Sequence, residues 1–212
     1  MLPSRSRAIS RSAILTTSRN LLRNALLLIA APAILHAQDK SQPKDPHKLS
    51  LDAYRSEVHF TLTDTLHSVH GNFRIQQGEV TFDPATGKAN GSILVDALSG
   101  QSGNTIRDRR MAKDHLKATE FKTVAFTPTR FAGTFNPEGD STLQVHGVFT
   151  LIGTPHEIDV PMMVQVNGQQ IHAVGSFTVP YVQWGLKDPS TFMIKVNKEV
   201  HVDLDLTGTL RH

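Results

Sequence analysis

The sequence holds no cysteine, which excludes disulfides, thiolate metal sites and cysteine nucleophiles together. No acidic residue occurs in the first 37 positions. No G-x-S-x-G elbow stands between a strand pattern and a helix pattern, so a serine-hydrolase reading lacks its nucleophile. The apolar run near the start, "ALLLIAAPAIL" from Ala25 to Leu35, is 11 residues long and interrupted by Pro32, short of the roughly 20 a spanning helix needs.

What that first segment does contain is five arginines (Arg5, Arg7, Arg11, Arg19, Arg23), the short apolar run and then "HAQ". A basic region, an apolar region and a small residue form a secretory signal peptide, with cleavage expected after Ala37. Residues 1–37 are therefore read as a leader and the product as periplasmic or secreted, without stable membrane insertion after cleavage. Removing the leader changes the charge. The full chain has 22 Lys and Arg against 19 Asp and Glu, and residues 38–212 have 17 against 19, a net of −2. The basic balance belongs to the leader and gives no support to a nucleic-acid partner. About 175 residues remain, enough to bury a core without disulfides. Residues 38–48, "QDKSQPKDPHK", read as a disordered linker, leaving 49–212 as one domain.

Within that domain the pattern has period two. "SEVHFTLTD" places Val58, Phe60 and Leu62 on one face; "LQVHGVFTLIG" does so with Leu143, Val145, Gly147, Phe149 and Leu151. Ile158, Val160, Met162, Val164 and Val166 share a face, as do Ile171, Ala173, Gly175, Phe177 and Val179. Such alternation marks strands with one buried face. Strands are expected at 49–54, 56–66, 71–82, 90–98, 123–132, 141–153, 157–167 and 170–180, with a long last one at 193–209. Short turns such as "DPATGKANG" and "VNGQQ" join neighbours, so the sheet is antiparallel. An all-β sheet of this size closes into a barrel or folds into a sandwich.

One stretch breaks the pattern: "SGQSGNTIRDRRMAKDHL", Ser99 to Leu116. Thr105-x-x-Asp108 fits a capping box after the Gly103-Asn104 turn, and two helical turns are expected. Its apolar face is thin, Ile106, Met111, Ala112 and Leu116, so the helix lies across the sheet as a lid or buttress.

The order of these motifs resembles the YceI-like family of lipid- and polyisoprenoid-binding periplasmic proteins. The residues that carry it are Ser56-x-Val58-x-Phe60, Gly71-x-Phe73, Phe82-Asp83-Pro84, "ILVDALS", Arg107-Asp108 with Met111, "TVAFTPT" and "VHGVFTLIGTPHEIDVPM". The resemblance covers about residues 49–209. It implies an extended eight-stranded antiparallel β-barrel, lipocalin-like, that holds a lipid tail in its interior. The chain leaves the family pattern at His115 before Leu116, at Glu120-Phe121 where Tyr-Pro is usual, and at the two histidines of "LHSVHGNF".

On this reading Phe60, Leu62, Phe73, Ile75, Phe82, Phe126, Phe149 and Phe177 point inward, and Met111 and Leu116 close over them from the helix; these ten are the lipid-contact candidates. Burial gains about 0.8 kcal/mol per CH₂-sized group, so an apolar interior alone can hold a C40-like isoprenoid. The head-group or mouth candidates are Arg107, Asp108, His67, His70 and His115. The expected function is non-catalytic binding or carriage of an isoprenoid or similar amphiphile, with no cofactor, a small lipid as partner, and a homodimer left open. The competing reading is a metal-binding or hydrolytic site in which His67, His70 and His115 converge at the mouth. Against it, i and i+3 in a strand point to opposite faces. Asp203 and Asp205 alternate with Val202, Leu204 and Leu206, and so belong to the wet outer face.

Overall fold

The computed structural model describes residues 46–211. The expected leader and most of the expected linker lie outside the described residues. The elements run β1 (His47–Leu51), β2 (Glu57–Thr63), β3 (Ser68–Phe82), β4 (Ala89–Asp96), helix α1 (Thr105–Arg110) continuing as a π-helical turn (Met111–His115), β5 (Thr123–Ala132), β6 (Asp140–Leu151), β7 (Thr154–Asn167), β8 (Gln170–Val179) and β9 (Val200–Arg211).

Every strand pairing is antiparallel, and the order β1-β3-β2-β9-β8-β7-β6-β5-β4 closes on itself through β3–β4 and β1–β9. The nine strands make eight staves. β1 and β2 are two halves of one stave: both pair with β3 on one side and β9 on the other, at different heights. Where the stave breaks, the Ser56 hydroxyl donates to the Thr207 carbonyl at 3.1 Å and accepts the Thr207 N–H at 3.0 Å, so the backbone of β9 is satisfied across the gap. The expected barrel is present; the sandwich is not.

Alternation sends one face of each stave inward, and two glycines make room for rings there. A Cβ on Gly71 would lie within 2.5 Å of the Phe60 ring, and one on Gly147 within 2.8 Å of the Phe126 ring. Large side chains thus lie over bare backbone, the small-against-large fit of a narrow barrel. β5 carries Pro128 beside a register shift between Pro128 and Arg130, where a missing N–H is tolerated.

Three expectations on the elements need correction. β1 begins at His47, so the last two residues of the expected linker are strand. The last strand begins at Val200, not near 193: the alternation of 192–199 belongs to a loop whose Phe192 and Met193 stand in solvent. Helix α1 is capped by Asn104, whose side chain accepts from the Ile106 and Arg107 N–H groups, and not by a box from Thr105 to Asp108.

Candidate functional site: the barrel interior and its mouth

The inward faces enclose a cavity of about 1180 Å³. Phe60, Leu62, Phe73, Ile75, Phe82, Phe126, Phe149 and Phe177 line it from the strands, Met111 from the π-helical turn and Leu116 from the residue that caps that turn. All ten candidates named from the sequence share this one space.

The two ends of the barrel differ. At the end where β1 begins, the aromatic rings of His47, Phe82, Phe131 and Phe135 pack together. His47 stacks on Phe82 with centroids 5.3 Å apart, and Phe135 meets both edge-on at 5.5 and 5.0 Å. His47, Phe82 and Phe135 are buried, and this cluster closes the barrel. His47, Phe131 and Phe135 were not among the candidates; two sit in segments that read as linker and turn, and no strand pattern points to them.

At the other end the lining turns polar. Asp64 and His67 come from the β2–β3 loop, Arg107, Arg110, Asp114 and His115 from the helix, and Lys187 and Asp188 from the β8–β9 loop. His67, Arg110, Asp114 and Lys187 line the cavity yet are exposed, so the cavity reaches solvent here. This is the mouth.

Each segment of the mouth is held by local hydrogen bonds. Ser102 is gripped from two sides: Arg107 donates from Nε to its hydroxyl and from Nη2 to its carbonyl, both at 2.7 Å, while Asp108 accepts its N–H at 3.0 Å and its hydroxyl. Asp108 is spent on this grip and does not line the cavity; Arg107 does both. The Asp64 carboxylate accepts the Leu66 and His67 N–H groups, which hold it below the usual carboxylate range. Ser190 does the same for Asp188. In the β8–β9 loop the Tyr181 hydroxyl donates to the Asn197 carbonyl at 2.7 Å. Burial, with Asp188 nearby, pushes its pKa up to about 12. Trp184 stacks on His156 at 4.0 Å and leans on Phe149 at 5.9 Å, pinning the same loop to the wall. Tyr181 and Trp184 were also missed from the sequence, although both are the rarer aromatic types in it. His115 is fixed through Nδ1 to the Lys187 carbonyl at 3.0 Å, joining helix to loop.

The three histidines do not converge. His67 and His115 line the mouth, but His70 faces outward, with Nδ1 at 2.9 Å from the Thr61 hydroxyl. Among the described residues no group of three or more His, Asp or Glu is placed to hold a metal ion. Asp203 and Asp205 sit on the outer face, paired with His201 at 3.1 Å and His172 at 2.8 Å.

The architecture and the sequence agree on kinship. A family model for the YceI-like domain matches residues 49–208. The chain belongs to the YceI-like family. Solved structures share the fold: this YceI-like chain superposes on BcnA of Burkholderia cenocepacia with a TM-score of 0.61 at 20% identity, covering 74% of this chain and 98% of that one. A polyisoprenoid binding domain from Saccharophagus degradans, implicated in plant cell wall breakdown, gives 0.59 at 18% identity, over 77% and 98%. The Campylobacter jejuni YceI protein gives 0.53 at 14%, over 68% and 86%. No curated protein matches by sequence. No helix of the described residues is long and apolar enough to cross a membrane.

Proposed function

We propose that this YceI-like barrel binds one long amphiphile of the polyisoprenoid kind, tail in the cavity and polar end at the mouth, and breaks no bond in it. The observation that carries the reading is the cavity: apolar along its length, closed by rings at one end and charged at the other. Its size fits a long tail. An engineered cavity of about 150 Å³ takes one benzene, so 1180 Å³ has room for about eight such rings, or some forty to fifty carbons. The mouth suits an anionic or hydroxylated end, since Arg107, Arg110 and Lys187 bring cations to it and His67 and His115 bring ring nitrogens. That one structural neighbour is described as a polyisoprenoid binding domain supports the same ligand class.

The leader pattern supports export, so the site of action is the periplasm or the outside of the cell. Mature protein from the native host is expected to begin at Gln38.

The test is mass spectrometry of the organic extract from natively purified protein. A lipid with a long unsaturated tail is expected at about one per chain. A clean extract, with no uptake of added polyprenyl phosphate, overturns the reading.

A further inference from the structure

Four large apolar side chains stand in water around the mouth: Phe192 is 97% exposed, Met193 86%, Leu66 75% and Ile106 62%. They lie on the β8–β9 loop, the β2–β3 loop and helix α1, the segments that supply the charged lining of the cavity. Single exposed apolar residues are ordinary; several gathered around the opening of an apolar cavity are not.

The tips are presented by organised backbone. Thr191 N–H donates to the Ile194 carbonyl at 2.9 Å and Ile194 N–H to the Thr191 hydroxyl at 3.1 Å, a tight turn with Phe192 and Met193 at its apex. That loop is tied to the one bearing Leu66: Thr65 N–H donates to the Lys195 carbonyl and Lys195 N–H to the Thr65 hydroxyl, both at 3.0 Å. Phe192, Met193 and Leu66 therefore project from one connected platform.

The charge around them has a sign. Residues 64–67, 102–116 and 181–199 carry seven Lys and Arg against five Asp and Glu; the rest of residues 46–211 carries eight against twelve. Arg109, Arg110, Lys113, Lys187 and Lys195 are exposed; among the described residues the first four are in no ion pair, and Lys195 helps to lower the pKa of Asp188. Apolar tips on segments that also carry exposed cations suit the interface of an anionic bilayer, with the tips among the head groups and the cations on the phosphates. Lysine is depleted at the cores of protein–protein interfaces, whereas Lys113, Lys187 and Lys195 stand on the same segments as these tips.

We propose that the rim of the mouth docks on an anionic lipid bilayer. Docking sets the opening against the membrane, so a tail passes into the cavity without exposing its length to water. The inference rests on the lipid reading of the cavity, and its test is independent of it.

The probe is co-sedimentation with vesicles of equal parts phosphatidylglycerol and phosphatidylcholine, set against phosphatidylcholine alone. Wild-type protein is expected to sediment with the anionic vesicles at low salt and to be released as salt rises. The double substitution Phe192→Ser, Met193→Ser is expected to weaken binding about tenfold or more. Arg109→Gln with Lys113→Gln is expected to weaken it about tenfold and flatten the salt dependence. Each variant is expected to unfold at the wild-type temperature, because none of these side chains is buried. Wild-type protein that stays in the supernatant, or a Phe192→Ser, Met193→Ser variant that binds as well as wild type, overturns the proposal. So does a dimer formed through these tips that leaves vesicles unbound. Vesicle binding by protein whose extract holds no lipid would keep the docking surface and remove the cavity reading; lipid-loaded protein that ignores vesicles would do the reverse.

Discussion

The two ends of the barrel are cut from the same eight staves and do opposite things with their residues. At the closed end short turns leave little to arrange, and His47, Phe82, Phe131 and Phe135 fill the bore with rings. At the mouth two long segments, 97–122 and 180–199, spend their polar groups on holding loops in place and leave the bore unfilled. The contrast separates stability from access. Apolar burial, worth about 25 cal/mol per Å², fills one end across the bore; at the other it anchors the loops at single points such as Leu116, Ala118, Tyr181 and Leu186, and the stretches between are held by hydrogen bonds worth about 1 kcal/mol each, a scale on which loops can open.

The largest test of that contrast is to remove a ring from the closed end. Phe82→Ala or Phe135→Ala is expected to cost about 3–5 kcal/mol in denaturant unfolding, against under about 0.5 kcal/mol for Phe192→Ser at the exposed rim. Equal costs at the two ends would erase the distinction.

Filling the bore comes next. Val145 lines the cavity. In a packed core Val145→Phe costs about 1–3 kcal/mol through strain. With space available it is expected to leave stability within about 1 kcal/mol of wild type and to halve, or more, the lipid recovered by extraction.

A smaller effect is expected from Tyr181→Phe, about 0.5–1.5 kcal/mol for the lost bond to the Asn197 carbonyl. Its pH profile sharpens the point. The folded pKa is raised to about 12 from 10.0, so this residue's contribution is whole below pH 10 and is lost as pH rises toward 12. The variant should lack that alkaline loss in unfolding curves taken across the range.

The smallest is acid loosening. Asp64 and Asp188 have folded pKa values held below the ordinary 3.8 by the N–H and hydroxyl groups they accept from. Their contribution is present above 3.8 and lost as pH falls through the depressed values. Hydrogen exchange is expected to quicken at 64–67 and 188–190 below pH 3.8 while the amides of β6 and β7 near the ring cluster stay protected. Asp64→Asn should remove the change at the first loop.

How much of this was legible follows the same division. The inward face was read residue by residue, because period-two alternation in a one-layer barrel allows only one buried side; Phe60, Phe149 and Phe177 needed nothing more. The same rule placed His67 and His70 on opposite faces. The loops resisted. Residues 192–199 alternate like a strand, yet their backbone groups are taken up by Tyr181, Ser190, Thr63 and Thr65, and the last two of those partners lie far away in sequence. His47 and Phe135 escaped notice because a residue that plugs a bore is defined by where the chain ends meet, which local pattern does not carry. Asp108 looked like a cap; the asparagine four positions earlier has the better geometry and leaves the carboxylate for Ser102.

The split stave has a consequence in time. β1 and β2 complete the cylinder only by pairing with β9, so Leu49 must find Leu210 and Val58 must find Leu204. Contacts of such sequence separation make folding slow. A chain in which β9 has not yet formed presents β8 and the β1–β2 stave as two bare edges, primed to pair with other chains. Those edges stay open until β9 pairs, and commitment to the native cylinder waits for that strand.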